Sequence, residues 1–176
     1  MTDPFETLGV EARFDLDLRA VERRHLELSK ALHPDRYVGA PATERRLALS
    51  RAIDVNEAFR VLRDPIRRAE ALFRRAGVPI GETLEPKAAP SLLMEMMEAR
   101  EELSDAARAK NLAQVTALGA AMAARQRAIE AQLGRALEGA GQDREEIQKV
   151  LPLLGELRYV RRFLDEVSAI EEELSP

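Results

Sequence analysis

Cysteine is absent from the sequence, and this absence excludes several kinds of site at once. Without a thiol the chain has no disulfide, no cysteine nucleophile and no sulfur ligand for zinc or an iron-sulfur cluster. Tryptophan is absent too, and aromatic residues make up only 4% of the chain. His33 and Asp35 could form a metal pair, but no third ligand of a suitable type lies at a usual spacing, so we expect neither a metal site nor a cofactor.

Long apolar runs are also missing, because polar or charged residues interrupt every apolar segment. No segment therefore predicts a membrane span. Residues 1–10 lack the basic start and apolar centre of a secretory signal, so we expect a cytoplasmic protein. A net charge of -4 and a pI near 5.4 give no general attraction to nucleic acid or to anionic membranes.

The abundant residues are Ala, Leu, Glu and Arg, which lose little side-chain freedom in a helix and predict an all-α fold. Apolar residues make up 45% of the chain, which is enough to form a core. Residues 77–90 hold two glycines and three prolines and have no helical period. We therefore expect a domain at residues 1–77, a linker at 78–90 and a three-helix bundle at 91–176.

Four helices are predicted in the first domain. A short helix follows Asp3, and a second begins after Asp15 or Asp17 and ends at Leu32. The apolar stripe of this second helix consists of Leu18, Val21, His25, Leu28 and Leu32. A third helix runs from about residue 43 to 63, with a stripe of Leu49, Ala52, Asn56, Phe59 and Leu62. The fourth begins at Pro65 and ends before Gly77.

Three helical segments are predicted in the second domain, at about residues 91–110, 111–138 and 143–174. A turn at residues 139–142 separates the last two, because this stretch holds two glycines. Pro152 removes one backbone donor from the last segment, so we expect a kink or break within residues 149–155.

The tripeptide His33-Pro34-Asp35 separates the two long helices of the first domain. Pro34 fixes its own backbone dihedral, so the imidazole and the carboxylate are presented with little entropy left to lose on binding. Asp35 offers an acceptor to an arginine of a partner protein. The plain alternative is that His33 favours the negative end of a helix and that Pro34-Asp35 only stops it.

The position of this tripeptide, with Leu32 before it and an Asn56-x-Ala58-Phe59-x-x-Leu62-x-Asp-Pro pattern after it, resembles a J-domain over residues 3–77. The resemblance implies that the loop and the preceding helix dock on a DnaK-type chaperone and speed its ATP hydrolysis. The residues implied in chaperone binding are His33, Pro34, Asp35, Arg23, Arg24, Lys30 and Arg36. Glu22 and Glu27 lower the net positive charge of this helix face, and a solvated helix with internal ion pairs remains an alternative.

The segment at residues 91–103 carries more apolar side chains than one helix face needs. One stripe consists of Leu92, Met96, Ala99 and Leu103, and Leu93, Met94 and Met97 lie outside it. Methionine adapts to the shape of a partner, so these three residues predict a protein contact. A helix packed on two sides is the alternative.

The pattern Leu-Met-Glu-x-x-Glu-x-Arg-Glu-Glu-Leu in this segment, after Asp64-Pro65 and Arg68-Ala69-Glu70, is similar to the HscB family, the J-type co-chaperones of iron-sulfur cluster assembly. The resemblance implies that the bundle holds the scaffold protein IscU and presents it to the chaperone HscA. The scaffold-binding residues that it implies are Leu93, Met94, Met97, Glu98, Arg100, Glu101 and Tyr159.

The same sequence bears on three alternative functions. A J-domain protein that serves a different client fits the same residues. An enzyme is disfavoured, because the chain lacks a nucleophile and base pair and a glycine-rich phosphate loop. A nucleic-acid binder is disfavoured by the acidic pI and by the lack of aromatic residues beside basic runs.

Overall fold

The computed structural model describes residues 2–81, 88–141 and 143–175, and every regular element in these ranges is helical. The expectation of an all-α fold is therefore confirmed. The chain forms two compact units, Met1–Pro79 and Ile80–Pro176. In the described ranges, no helix is both long enough and apolar enough to cross a bilayer. Residues 82–87, within the predicted linker, lie outside the described residues.

The first unit contains four α-helices and one 3₁₀ helix. They are α1 (Pro4–Leu8), α2 (Leu18–Ala31), the 3₁₀ helix (Pro34–Tyr37), α3 (Ala42–Arg63) and α4 (Pro65–Arg75). Asp17 is the N-cap of α2, since its carboxylate accepts the backbone N–H groups of Arg19 and Ala20. Asp64 ends α3 and caps α4, which allows these two helices to follow one another without a loop.

The core of the first unit lies where α1, α2 and α4 pack on α3. Its buried residues are Phe5, Leu8, Val21, Val55, Ala58, Val61, Leu62 and Ala71. Leu62, Val21, Leu28 and Leu32 lie in or against this core, as predicted. The predicted burial of Leu49 is wrong, since this side chain is 57% exposed, and Leu18 is also exposed. Because α3 contacts α1 as well as α2, its buried face is centred on Val55 and Ala58 and not on Asn56.

Over its described residues, 88–141 and 143–175, the second unit is a bundle of three long helices with one short helix before the last. They are α5 (Pro90–Arg108), α6 (Leu112–Ala140), α7 (Arg144–Lys149) and α8 (Leu151–Leu174). The predicted break near Pro152 is confirmed, because α7 ends at Lys149 and Pro152 lies in the first turn of α8. The turn predicted at residues 139–142 begins later than expected, since α6 continues to Ala140 and ends at Gly141, where φ is 57°. Gln142 lies outside the described residues.

The bundle core confirms the predicted stripe of α5. Met96 and Leu103 are buried beside Val115 of α6 and Phe163 of α8, and Leu92 and Ala99 pack against this cluster. Gly119 of α6 faces Val167 of α8, which allows these two helices to approach closely. The side of α5 that faces away from this core is therefore free to carry a surface function.

Candidate functional site

The His33-Pro34-Asp35 tripeptide begins the 3₁₀ helix that links α2 to α3. His33 is extended, with φ -61° and ψ 134°, and its Nδ1 accepts the backbone N–H of Asp35 at 3.3 Å. An imidazole nitrogen that accepts a hydrogen bond carries no proton, so the neutral ring holds its proton on Nε2. Pro34 occupies the first turn, where its missing N–H removes no helical hydrogen bond. His33 therefore caps the 3₁₀ helix with Nδ1, and its Nε2 makes no hydrogen bond within the described residues.

Both polar side chains of this loop are open to solvent. The side chain of His33 is 59% exposed and that of Asp35 is 86% exposed. His33 Nδ1 also lies 3.5 Å from Asp35 Oδ2, so a protonated imidazole would pair with this carboxylate. In the neutral state the loop presents an N–H donor and a carboxylate acceptor side by side. This arrangement suits docking on a polar protein surface.

A contact between α2 and α3 supports the helices on either side of the loop. The ring of His25 stacks on Phe59 with 4.2 Å between the ring centroids, and its Nε2 lies 2.9 Å from Asn56 Oδ1. Ser29 adds a contact of 3.3 Å to the same nitrogen. His25 is half-buried, as expected for a boundary residue of the hairpin. Because the His25 ring is in contact with three side chains, we assign this residue a structural role.

The basic residues of the predicted chaperone-binding set differ in their surroundings. Arg24 Nε donates to the carbonyl oxygen of Leu8, and its Nη1 pairs with Glu27 at 3.2 Å. Arg23 forms a long ion pair with Asp17 at 3.8 Å. Lys30 and Arg36 are exposed on the last turn of α2 and on the 3₁₀ helix, directly before and after the tripeptide. Arg24 thus holds α1 against α2, while Lys30 and Arg36 flank the loop.

A second candidate surface lies on the solvent side of α5. Leu93, Met94 and Met97 are 39%, 63% and 71% exposed, and together they form what we call the client patch. They project away from Met96 and Leu103, which fill the core side of the same helix. Glu98 and Glu101 are exposed at the border of the patch. Three adjacent exposed apolar residues with a charged border are typical of a protein contact site.

The other two residues predicted for this surface are held by the bundle. Tyr159 of α8 is half-buried and packs against the core cluster that contains Met96. Arg100 donates to both carboxylate oxygens of Glu166 in α8, at 2.8 and 3.2 Å. This ion pair connects the edge of the client patch to α8. Sequence reasoning missed Glu166, since a partner 66 residues away leaves no local signal.

A second ion-pair cluster joins all three long helices. Arg125 of α6 donates to Glu156 of α8 at 2.8 Å and to Glu95 of α5 at 2.9 Å. The hydrogen bond with Glu156 is the main reason why the pKa of Arg125 is raised above its ordinary value. Glu95 lies between Met94 and Met96, so this cluster fixes the segment of α5 that carries the client patch. In the described parts of the chain, no group of three His, Asp or Glu side chains is arranged to hold a metal ion.

Comparison with known proteins gives consistent results for the sequence and for the fold. Residues 88–168 match the family model described as the HSCB C-terminal oligomerisation domain. The chain is 35% identical over 170 residues to the co-chaperone protein HscB homolog of Burkholderia mallei, which covers 97% of this chain and 94% of that protein.

Two solved structures resemble the fold. One is chaperone HscB from Vibrio cholerae, with a TM-score of 0.85 and 30% identity, covering 99% of this chain and all of that one. The other is the human co-chaperone protein HscB, with a TM-score of 0.84 and 21% identity, covering 96% of this chain and 82% of that one. At 21% identity the human structure supports the fold alone.

Proposed function

The chain belongs to the HscB family of J-type co-chaperones of iron-sulfur cluster assembly, and we propose that it stimulates an HscA-like, DnaK-type chaperone and delivers the scaffold protein IscU to it. In this proposal the first unit engages the chaperone and the second unit holds the client. The protein acts as an adaptor and does not catalyse a reaction itself. ATP hydrolysis takes place on the partner.

The geometry of the His33 loop is the observation that carries the chaperone half of the proposal. His33 and Asp35 are exposed at the tip of the α2–α3 hairpin, and Pro34 and the 3₁₀ helix restrict the backbone from which their side chains project. A preordered loop loses little entropy on docking, so its few contacts yield a larger net binding free energy. The Asp35 carboxylate suits an arginine of the chaperone, and Lys30 and Arg36 suit an acidic surface around it.

The client patch supports the other half of the proposal. Leu93, Met94 and Met97 are exposed although the core of the bundle is filled by other residues of α5. An exposed apolar cluster with a polar border becomes buried when a partner protein binds to it. Because loop and patch belong to one chain, a bound client is kept at high local concentration near the chaperone. This tethering explains how a protein without catalytic groups accelerates a cycle on another protein.

The decisive experiment is a steady-state ATPase assay of the HscA-like chaperone with the full-length protein, with and without the scaffold. Wild type is expected to raise ATP turnover, and scaffold is expected to raise it further. His33→Gln and Asp35→Asn should each abolish the stimulation, because they remove the two groups that the loop presents. Their affinity for the scaffold, measured by calorimetry without chaperone, should equal that of wild type.

Asp15→Asn serves as the matched control, because Asp15 is an exposed carboxylate of the same unit that lies away from the tripeptide. This variant should stimulate the chaperone as wild type does. Stimulation that survives both His33→Gln and Asp35→Asn would contradict the chaperone half of the proposal. Failure of wild type to bind the scaffold would contradict the client half alone.

A further inference from the structure

The client patch borders α8, and two arginines lie along this border. They differ in whether a carboxylate of the described residues pairs with them. On the basis of the proposed function, we infer that Arg162 of α8 determines client specificity by binding a carboxylate of the scaffold. Arg100, which the family resemblance places among the scaffold-binding residues, already forms an ion pair with Glu166. Arg162 was not among the residues that the sequence predicted.

The ion pairs of α5 show which of its edges faces α8. Arg100 reaches Glu166 on α8, whereas Glu95 reaches Arg125 on α6. Leu93, Met97 and Arg100 are separated by four and three residues, so they form one row along the helix. Leu93 and Met97 therefore lie on the α8 side of α5, next to the helix that carries Tyr159.

Arg162 lies on the matching edge of α8. It precedes Glu166 by four residues, so both side chains share one face of the helix, the face that reaches Arg100. The Arg162 guanidinium carbon lies 5.9 Å from the centre of the Tyr159 ring. The residue is exposed, and within residues 88–141 and 143–175 no carboxylate forms an ion pair with it. Arg162 is thus a cation held beside the client patch with its hydrogen-bond donors open to solvent.

The two arginines differ in what a client must displace. A client carboxylate that binds Arg100 has to replace its bidentate ion pair with Glu166, so the exchange adds little to the binding free energy. Binding to Arg162 displaces only water, and the contact with the Tyr159 ring limits the conformations of the guanidinium group. The surface consequently fits a client segment in which an aliphatic side chain covers Leu93, Met97 and Tyr159. An aspartate or glutamate beside that side chain then reaches Arg162.

The experiment measures association and dissociation rates of the purified scaffold protein with full-length variants, by stopped flow at several salt concentrations. Arg162→Gln is expected to lower the association rate constant roughly 3–10-fold and to weaken its salt dependence, as removal of a charge at the border of an interface does. Arg162→Lys keeps the charge and should retain most of the rate. Arg100→Gln should change it less than Arg162→Gln does.

Arg135→Gln is the matched control, because Arg135 is an exposed arginine of the same bundle that lies away from the client patch. It is ten residues, or about 15 Å along the axis of α6, from Arg125, the residue of α6 that contacts Glu95. It should bind as wild type does, and thermal unfolding of every variant checks that the bundle is folded. Equal rates for Arg162→Gln and wild type would overturn the inference, as would a larger loss for Arg100→Gln. Absence of scaffold binding by wild type would instead overturn the proposed client, and this inference with it.

Discussion

At the scale of single residues, the close approach of α6 to α8 depends on a glycine. A Cβ atom added to Gly119 would lie 2.8 Å from Cγ1 of Val167, and Val167 is buried. The contact point is a methyl group of a β-branched side chain, which has few alternative rotamers in a helix. Gly119 is therefore required for the approach of α6 to α8.

We predict that Gly119→Ala lowers the free energy of unfolding of the second unit by about 1–3 kcal/mol, the usual cost of overpacking a core. The chain has two tyrosines and no tryptophan, so in a Tyr37→Phe background the fluorescence of Tyr159 reports on this unit in urea. Gly139→Ala in the same helix is the control, since its Cβ would meet nothing within 4 Å. Adding Val167→Ala should make the combined loss smaller than the sum of the single losses, and strict additivity would contradict the steric explanation.

The residues of the candidate sites differ in whether the sequence alone can identify them. His33 is identified by its tripeptide between two helices, and Leu93 and Met97 are identified because helix periodicity separates a surface residue from a core residue. The pairing of Arg100 with Glu166 is not visible, since it depends on how two helices align in space. The same limit explains why Arg162 was missed, although its spacing of three residues from Tyr159 places both on one face of α8.

At the scale of helices, aspartate side chains cap the starts of α1, α2 and α4. The Asp17 carboxylate accepts two backbone N–H groups at the start of α2, at 2.9 and 3.2 Å. Its ion pair with Arg23 is long and exposed, so it contributes little to stability. The cap fixes the first turn of α2. Arg23, Arg24 and Lys30 lie on this helix, which ends next to the His33 loop.

Asp17→Ala is expected to destabilise the first unit by about 1 kcal/mol, whereas Asp17→Asn should have almost no effect, because asparagine caps helices as well as aspartate does. Hydrogen exchange of the amides of Arg19 and Ala20 measures the effect directly, with the amides of α8 as an internal reference. Equal destabilisation by both substitutions would show that the charge of Asp17, and not its capping oxygen, is the stabilising feature.

Helix periodicity predicted most element boundaries to within a few residues but misjudged one buried face. Leu92, Met96 and Leu103 were assigned to the core correctly, because α5 buries one narrow face. The assignment failed at Leu49, because α3 contacts α1 as well as α2 and its buried face is centred on Val55 and Ala58, to one side of the predicted stripe. Periodicity alone gives no measure of how many helices pack on an element.

At the scale of the whole molecule, the proposed mechanism requires the loop and the client patch to act within one chain. Two full-length variants test this requirement: His33→Gln keeps the client patch, and Leu93→Ser/Met97→Ser keeps the loop. The double substitution replaces exposed side chains, so the bundle should remain folded. An equimolar mixture of the two variants contains every functional group of wild type, but on separate molecules.

We predict that this mixture gives little of the scaffold-dependent ATPase stimulation seen with the same concentration of wild type. In wild type the tether supplies an effective client concentration of about a millimolar, the order found for short connections, and the mixture offers only the bulk concentration. His33→Gln should also suppress wild type when added in excess, because it sequesters the scaffold. Full recovery in the mixture would show that loop and patch act independently, and that stimulation does not require delivery of the client by the same molecule.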